Sequence, residues 1–155
     1  MSKTFIFLLF LAVLSGFIAH SYLATGNATD RNQAKNTQPG MCAKLPMEAD
    51  GIVRLSKIEI YPEHLKEYMK YASEVGEVSL RTEPGVLTMY AVSEKDNPCR
   101  VTILETYANR EAYEKHIASP HFRKYKEGTL HMVKSLTLSD QTPVNPANRI
   151  TNYME

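Results

Sequence analysis

The fold is decided by Val101–Phe122, which reads VTILETYANREAYEKHIASPHF. Val101–Tyr107 is short and rich in β-branched and aromatic residues, the composition of a strand. Asn109 stands where a helix needs its N-cap, and Glu111 falls in the first turn, where a carboxylate suits the helix dipole. Ala112, Tyr113, His116 and Ile117 then share one helical face. Ser119-Pro120 restarts the chain, Ser as cap and Pro at the first helical position. His121, Phe122 and Tyr125 therefore belong to a second helical segment.

Working outward, Val86–Val92 (VLTMYAV) is a strand joined to Val101–Tyr107 through a tight Asp96-Asn97-Pro98 connection. Thr82-Glu83-Pro84-Gly85 before it is a turn signal. Ile52–Tyr61 (IVRLSKIEIY) is another strand, whose apolar phase slips from Val53 and Leu55 to Ile58 and Ile60. A bulge or burial on both faces accounts for such a slip. Pro62 opens a helix with Leu65, Tyr68, Met69, Ala72 and Val75 at helical spacing, and Val133–Leu138 (VKSLTL) supplies a last strand. The order βαββαβ predicts an α+β, ferredoxin-like antiparallel sheet with both helices on one face. Along VLTMYAV, Leu87, Met89 and Ala91 point one way and Val86, Tyr90 and Val92 the other, and both sets are largely apolar. Since the helices cover one face, a homodimer joined through its sheet faces is expected to cover the second. A monomer whose tether and tail fold over that face is the alternative.

The chain has 155 residues, with 18 Lys and Arg against 17 Asp and Glu, a net charge of +1. That balance argues against bulk electrostatic binding of nucleic acid. Lys3 followed by the uncharged Thr4–Ala19 has the layout of a secretory signal, with Gly26-x-Ala28 as the small-x-small step. Residues 1–28 are therefore expected to be a signal peptide that sends the chain out of the cytoplasm, to the periplasm or medium. The rival reading is an uncleaved membrane anchor over residues 4–24. Residues 29–50 read as a flexible tether, 51–140 as the folding unit, and 141–155, with its Pro and Asn, as an extended or disordered tail. Cys42 and Cys99 are candidates for a disulfide after export, the alternative being two unpaired thiols.

Glu105–Phe122, a strand ending Glu-x-aromatic, a helix carrying His and a Ser-x-His-aromatic step, resembles the signature of the antibiotic-biosynthesis-monooxygenase family. Thr82–Gly85 resembles the turn before that family's second strand. The resemblance spans about Gly51–Asp140 and implies a dimeric α+β barrel of ferredoxin-like units. It also implies a small monooxygenase that uses O2 on a quinol or other electron-rich aromatic, with no metal, flavin or other cofactor. The family also holds haem-degrading relatives and an isomerase of a phosphorylated signalling sugar. The axial His of the haem branch would fall near Lys126, so a haem ligand is not expected. Isomerisation of a small hydroxy-ketone and a non-catalytic dimeric binding or stress module are the alternative functions.

Cofactor-free oxygenation needs a base to form the electron-rich anion, an apolar aromatic cavity and orienting hydrogen bonds. The catalytic candidates are His116, His121 and Glu105. His116 aligns with the motif His of the resemblance. It lies near a helix C-terminus, where the dipole favours its charged form and suits it to hold an anionic oxygen. His121 lies in a first turn, where the dipole keeps it neutral and makes it the easier base. In the bland reading His116 is a satisfied histidine under the helix and His121 a first-turn surface residue. Glu105, mid-strand in an apolar segment, is expected to need an Arg partner, Arg54, Arg81 or Arg123, and such a pair is as readily structural as catalytic. Tyr107, Tyr90 and Arg123 are the substrate-binding candidates. Tyr107 replaces the Trp of many family members, keeping an aromatic wall and adding a hydroxyl. No metal is expected, because His116 and His121 are not an i, i+4 pair on one helix.

Overall fold

A computed structural model of the chain describes residues 40–148, 150 and 152. The elements run β1 (Ile52–Ile60), α1 (Leu65–Thr82, after a 3-10 turn at Pro62–His64), β2 (Val86–Ser93), β3 (Arg100–Tyr107), α2 (Arg110–Ala118), α3 (Pro120–Thr129) and β4 (Val133–Asp140). The strands form one antiparallel sheet in the order β2-β3-β1-β4. This is the expected ferredoxin-like α+β fold, with the second helix split into α2 and α3. The split sits at the predicted step: the Asn109 side chain accepts from Ala112 N–H at 2.8 Å, and the Ser119 hydroxyl from Phe122 N–H at 3.2 Å. Ser119 itself is extended, at φ −67° and ψ 151°, so α3 does not continue α2.

The phase slip in β1 has a different cause from a bulge. Its pairing with β3 is unbroken from Ile52 to Glu59, and the only irregularity, toward β4, lies at Glu59/Ile60. Ile52, Arg54, Ser56, Ile58 and Ile60 share the helix-facing side by strand alternation. Ile52 packs with Met41, Leu80, Val86, Tyr107, Ala108 and Ala112. Ile58 and Ile60 pack in a separate cluster with Tyr68, Val101 and Met132. Arg54 and Ser56 fall between these two clusters, where a cavity of about 140 Å³ opens under the helices. The polar interruption is the cavity floor.

Residues 40–50 do not behave as the expected tether. Met41 is buried in the first cluster. The backbone N–H groups of Cys42, Leu45 and Glu48 donate to the carbonyls of Arg81, Pro84 and Ala108 at 3.0, 3.0 and 2.7 Å. Lys44 Nζ donates to Leu80 O at 2.6 Å and Glu83 O at 2.9 Å. The end of a helix leaves carbonyls without partners, and this strap satisfies them. Gly40 starts it at φ +76°, a left-handed conformation that other residues resist. The signal or anchor over 1–28 and the tether over 29–39 lie outside the described residues. Among those described, no helix is long and apolar enough to cross a membrane.

The strap also separates the cysteines. Cys42 lies at the C-terminal end of α1, while Cys99 O accepts from Ile60 N–H at 2.9 Å, just before that helix begins. A helix of 18 residues puts roughly 27 Å between those ends. Both thiols are free, the alternative left open by the sequence, and that separation is too long for the candidate Cys42–Cys99 disulfide within one chain.

Candidate functional site

The cavity lies between the helix-facing side of the sheet and the three helices. Arg54, Ser56, Met89, Ile103, Glu105 and Tyr107 line it from the sheet, and Tyr113, His116, Phe122, Tyr125 and Lys126 from the helices. Its lining is mainly apolar and aromatic.

His116, in the last turn of α2, is the centre of the helix wall, and its side chain is 1% exposed. The His116 ring meets Phe122 edge-on, with centroids 4.9 Å apart, and Tyr107 at 5.4 Å. Its Nδ1 is 2.9 Å from Glu83 Oε1, and His121 Nε2 reaches the same oxygen at 2.6 Å. Burial alone would raise the Glu83 carboxyl, but hydrogen bonds and charge from His116, with the hydrogen bond from His121, outweigh it and hold it below the usual carboxylate range. An ionised carboxylate only accepts, so both facing nitrogens carry protons. In neutral His116 the lone pair then sits on Nε2.

The two histidines are placed differently from one another. His116 lines the cavity. His121 does not line it and stands behind, braced on Glu83. The spacing argument against convergence also fails. The extended Ser119 turns α3 against α2, so two histidines on different helices meet one carboxylate. Glu83, Glu-x-Gly in the turn before β2, went unassigned although that turn was part of the resemblance. Gly85 in the same turn is what brings it there: a Cβ at this position would lie 2.3 Å from Ala112 Cβ, so only glycine lets the turn close on α2.

On the sheet wall, Ser56 Oγ donates to Glu105 Oε1 at 2.5 Å and Tyr107 Oη to Glu105 Oε2 at 2.8 Å. Glu105 thus lines the cavity as expected, but two hydroxyls partner it rather than an arginine. Burial and the adjacent carboxylate push the Tyr107 phenol far above its ordinary value, so it remains a donor. Arg54, opposite Glu105 in the register, turns instead to Asp140 Oδ1 at 2.7 Å and lies over the Tyr113 ring at 4.6 Å. Burial works against the Arg54 charge, but hydrogen bonds to Asp140 and Tyr113 raise it further into the protonated range. Beyond Phe122, the Tyr125 and Tyr68 hydroxyls share a hydrogen bond at 2.7 Å. Burial lowers the Lys126 ammonium.

Two expected substrate-binding residues lie elsewhere. Met89 pairs with Glu105, whereas Tyr90 pairs with Leu104. Tyr90 therefore points from the face without helices, where it is 61% exposed. Arg123 is exposed on α3 and lines no part of the cavity. Arg54, Ser56 and Glu83 were missed; the polar slip in β1 was the signal for the first two.

The family described as antibiotic biosynthesis monooxygenase matches residues 51–128. No curated protein sequence matches the chain. Among solved structures, a candidate antibiotic biosynthesis monooxygenase from Bacteroides thetaiotaomicron is 57% identical, with TM-score 0.64, over 66% of this chain and 97% of that one. A candidate monooxygenase from Lactobacillus acidophilus is 30% identical, with TM-score 0.58, over 61% of this chain and 45% of the other. A Nitrosomonas europaea protein of 16% identity, TM-score 0.58, covering 66% of this chain and 98% of its own, shares the fold. With its matched span, its sheet order and the cavity in the place where the motif residues converge, the chain belongs to the antibiotic biosynthesis monooxygenase family.

Proposed function

We propose that the chain is an exported, cofactor-independent monooxygenase of a single-ring quinol or phenol, with O2 as oxidant. One observation carries the reading: the buried His116, hydrogen-bonded through Nδ1 to Glu83, lines an aromatic cavity of about 140 Å³. A dry cavity of about 150 Å³ holds a benzene ring. In this scheme His116 Nε2 takes the phenolic proton and Glu83 stabilises the imidazolium that results. The phenolate gives one electron to O2, and the radical pair recombines as a C–O bond. Loss of water then leaves a quinone, with one oxygen atom of O2 in the ring and the other in water. Tyr107, held by Glu105, forms the end wall, and the apolar lining keeps bulk water from the pair.

The test is oxygen uptake with reduced quinones and dihydroxyaromatics by the chain starting at Thr29, chelator present, against His116→Ala. Uptake above autoxidation that disappears in the variant supports the proposal. Full uptake by the variant removes His116 as the base, and none with any substrate removes the reading.

Arg54 and Lys126 on the lining favour a second reading, isomerisation of a small anionic hydroxy-ketone. It is the weaker because Asp140 already neutralises Arg54 and burial lowers Lys126. A non-catalytic module requires the candidate groups to diverge, whereas Glu105 and His116 share one cavity. The proposal extends to a homodimer. Tyr90 and Val92 stand exposed on the face without helices, and a second copy would bury them. Sedimentation of Tyr90→Glu should then show a smaller particle than the parent chain.

A further inference from the structure

We propose that Glu83, His116 and His121 also form a site for a divalent transition metal such as zinc, on the side of the His116 ring turned from the cavity. One ligand atom from each residue lies within 4.8 Å of the others. Two imidazoles with one carboxylate is a ligand set that zinc takes, leaving a coordination position open. Zinc bonds N and O at about 2.0–2.1 Å, which places ligand atoms roughly 3.3 Å apart on a tetrahedron. The approaches to Glu83 Oε1 are 2.9 and 2.6 Å. A metal in place of the two shared protons therefore asks the carboxylate to withdraw by less than about 1 Å and the two ring nitrogens, within 4.8 Å of one another, to close by up to about 1.5 Å.

The surroundings suit a metal as well. Glu83 follows the last residue of α1, His116 lies in the last turn of α2 and His121 in the first turn of α3, so each ligand comes from near the end of a separate helix. The buried Ser79 beside it spends its hydroxyl proton on Val75 O at 2.7 Å, which leaves the carboxylate to the two histidines. Phe122 and Tyr107 fix the plane of the His116 ring.

Occupancy has a chemical consequence. Zinc on Nδ1 leaves His116 neutral only if its proton moves to Nε2. The nitrogen facing the cavity then donates instead of accepting. Metal binding and base catalysis exclude one another through the two edges of one ring. This consequence rests on the oxygenase reading; the binding does not.

Zinc alone, titrated calorimetrically into the full-length, metal-stripped chain, should bind at one ion per chain. His121→Ala, His121→Gln and Glu83→Gln should each weaken it by at least about tenfold. His64→Ala, which removes one ring of the His64–His131 pair (centroids 5.0 Å apart), should leave it unchanged. Cobalt(II) should show the visible bands of a four-coordinate N/O site, and His121→Ala should lose them. Circular dichroism of each variant separates a lost ligand from a lost fold. No binding, binding that survives folded His121→Ala, or binding lost in His64→Ala overturns the site. If zinc binds as expected and the chain shows no oxygen uptake, the site stands and the oxygenase reading falls.

Discussion

On the sheet wall Glu105 accepts from Ser56 and Tyr107, whereas at the helix ends Glu83 accepts from two histidines. Both arrangements are a carboxylate with two donors, half-buried under the same helices. The sheet cluster is closed: hydroxyls donate, the carboxylate accepts, and neither carboxylate oxygen lacks a donor. The helix-end cluster is open, because an imidazole that donates from one nitrogen still has the other. Similar hydrogen-bond inventories thus give one wall that shapes a ring-sized space and another that can move a proton. Under the proposed function, donor type rather than carboxylate burial is what would separate the two clusters.

The comparison can be broken in order of expected effect. His116→Ala should lower turnover of an accepted quinol by about 10²–10⁴, the range for a positioned base, as read by oxygen uptake. Glu83→Gln keeps an acceptor but removes the charge that holds the tautomer. It should lower turnover by roughly ten- to a hundredfold with little change in KM. If it costs nothing, the helix-end cluster is no more reactive than the sheet one. Tyr107→Phe deletes one donor to Glu105 and should cost about 1–2 kcal/mol in denaturant unfolding. Its effect on turnover should be smaller than that of Glu83→Gln; the reverse order would make the sheet cluster the reactive one.

The smallest effect is expected at the cavity edge. The hydrogen bond from Arg54 holds the Asp140 carboxyl below its ordinary value. A carboxylate with a depressed folded-state pKa adds stability above its unfolded value of about 3.9, and that stability is lost as pH falls through the folded value. Asp140→Asn should therefore flatten the acid limb of the stability curve below about pH 4 and change neutral stability by no more than about 1 kcal/mol, since Asp140 is largely exposed.

The order of elements was legible because caps and turns are local. Asn109, Ser119 and Pro120 announce their helices within three residues, and strand composition does the rest. The site was legible only in part, because it is assembled by contacts remote in sequence. Glu83 and His116 meet across 33 positions, and nothing local in the turn declares a carboxylate with two histidines. Alternation along β2 separated Tyr90 from Met89 but carried no sign of which side the helices cover. The β1 slip held the most information: a strand whose helix-facing side drops apolar residues at Arg54 and Ser56 alone marks the point where the core gives way to a cavity. The helical rule that kept His116 and His121 apart holds on one helix and lapses at Ser119.

The strap over residues 40–50 makes the domain a mechanical element. Any pull from the N-terminal side, whether from an anchor, a fused protein or a surface, enters through this segment. It is borne first by the Cys42–Arg81 and Leu45–Pro84 backbone bonds, which flank Glu83 on both sides, while Lys44 grips the carbonyl of Glu83 itself. Tension on the chain would thus be carried past the carboxylate that holds His116, and under the proposed function attachment and catalysis would share one load path.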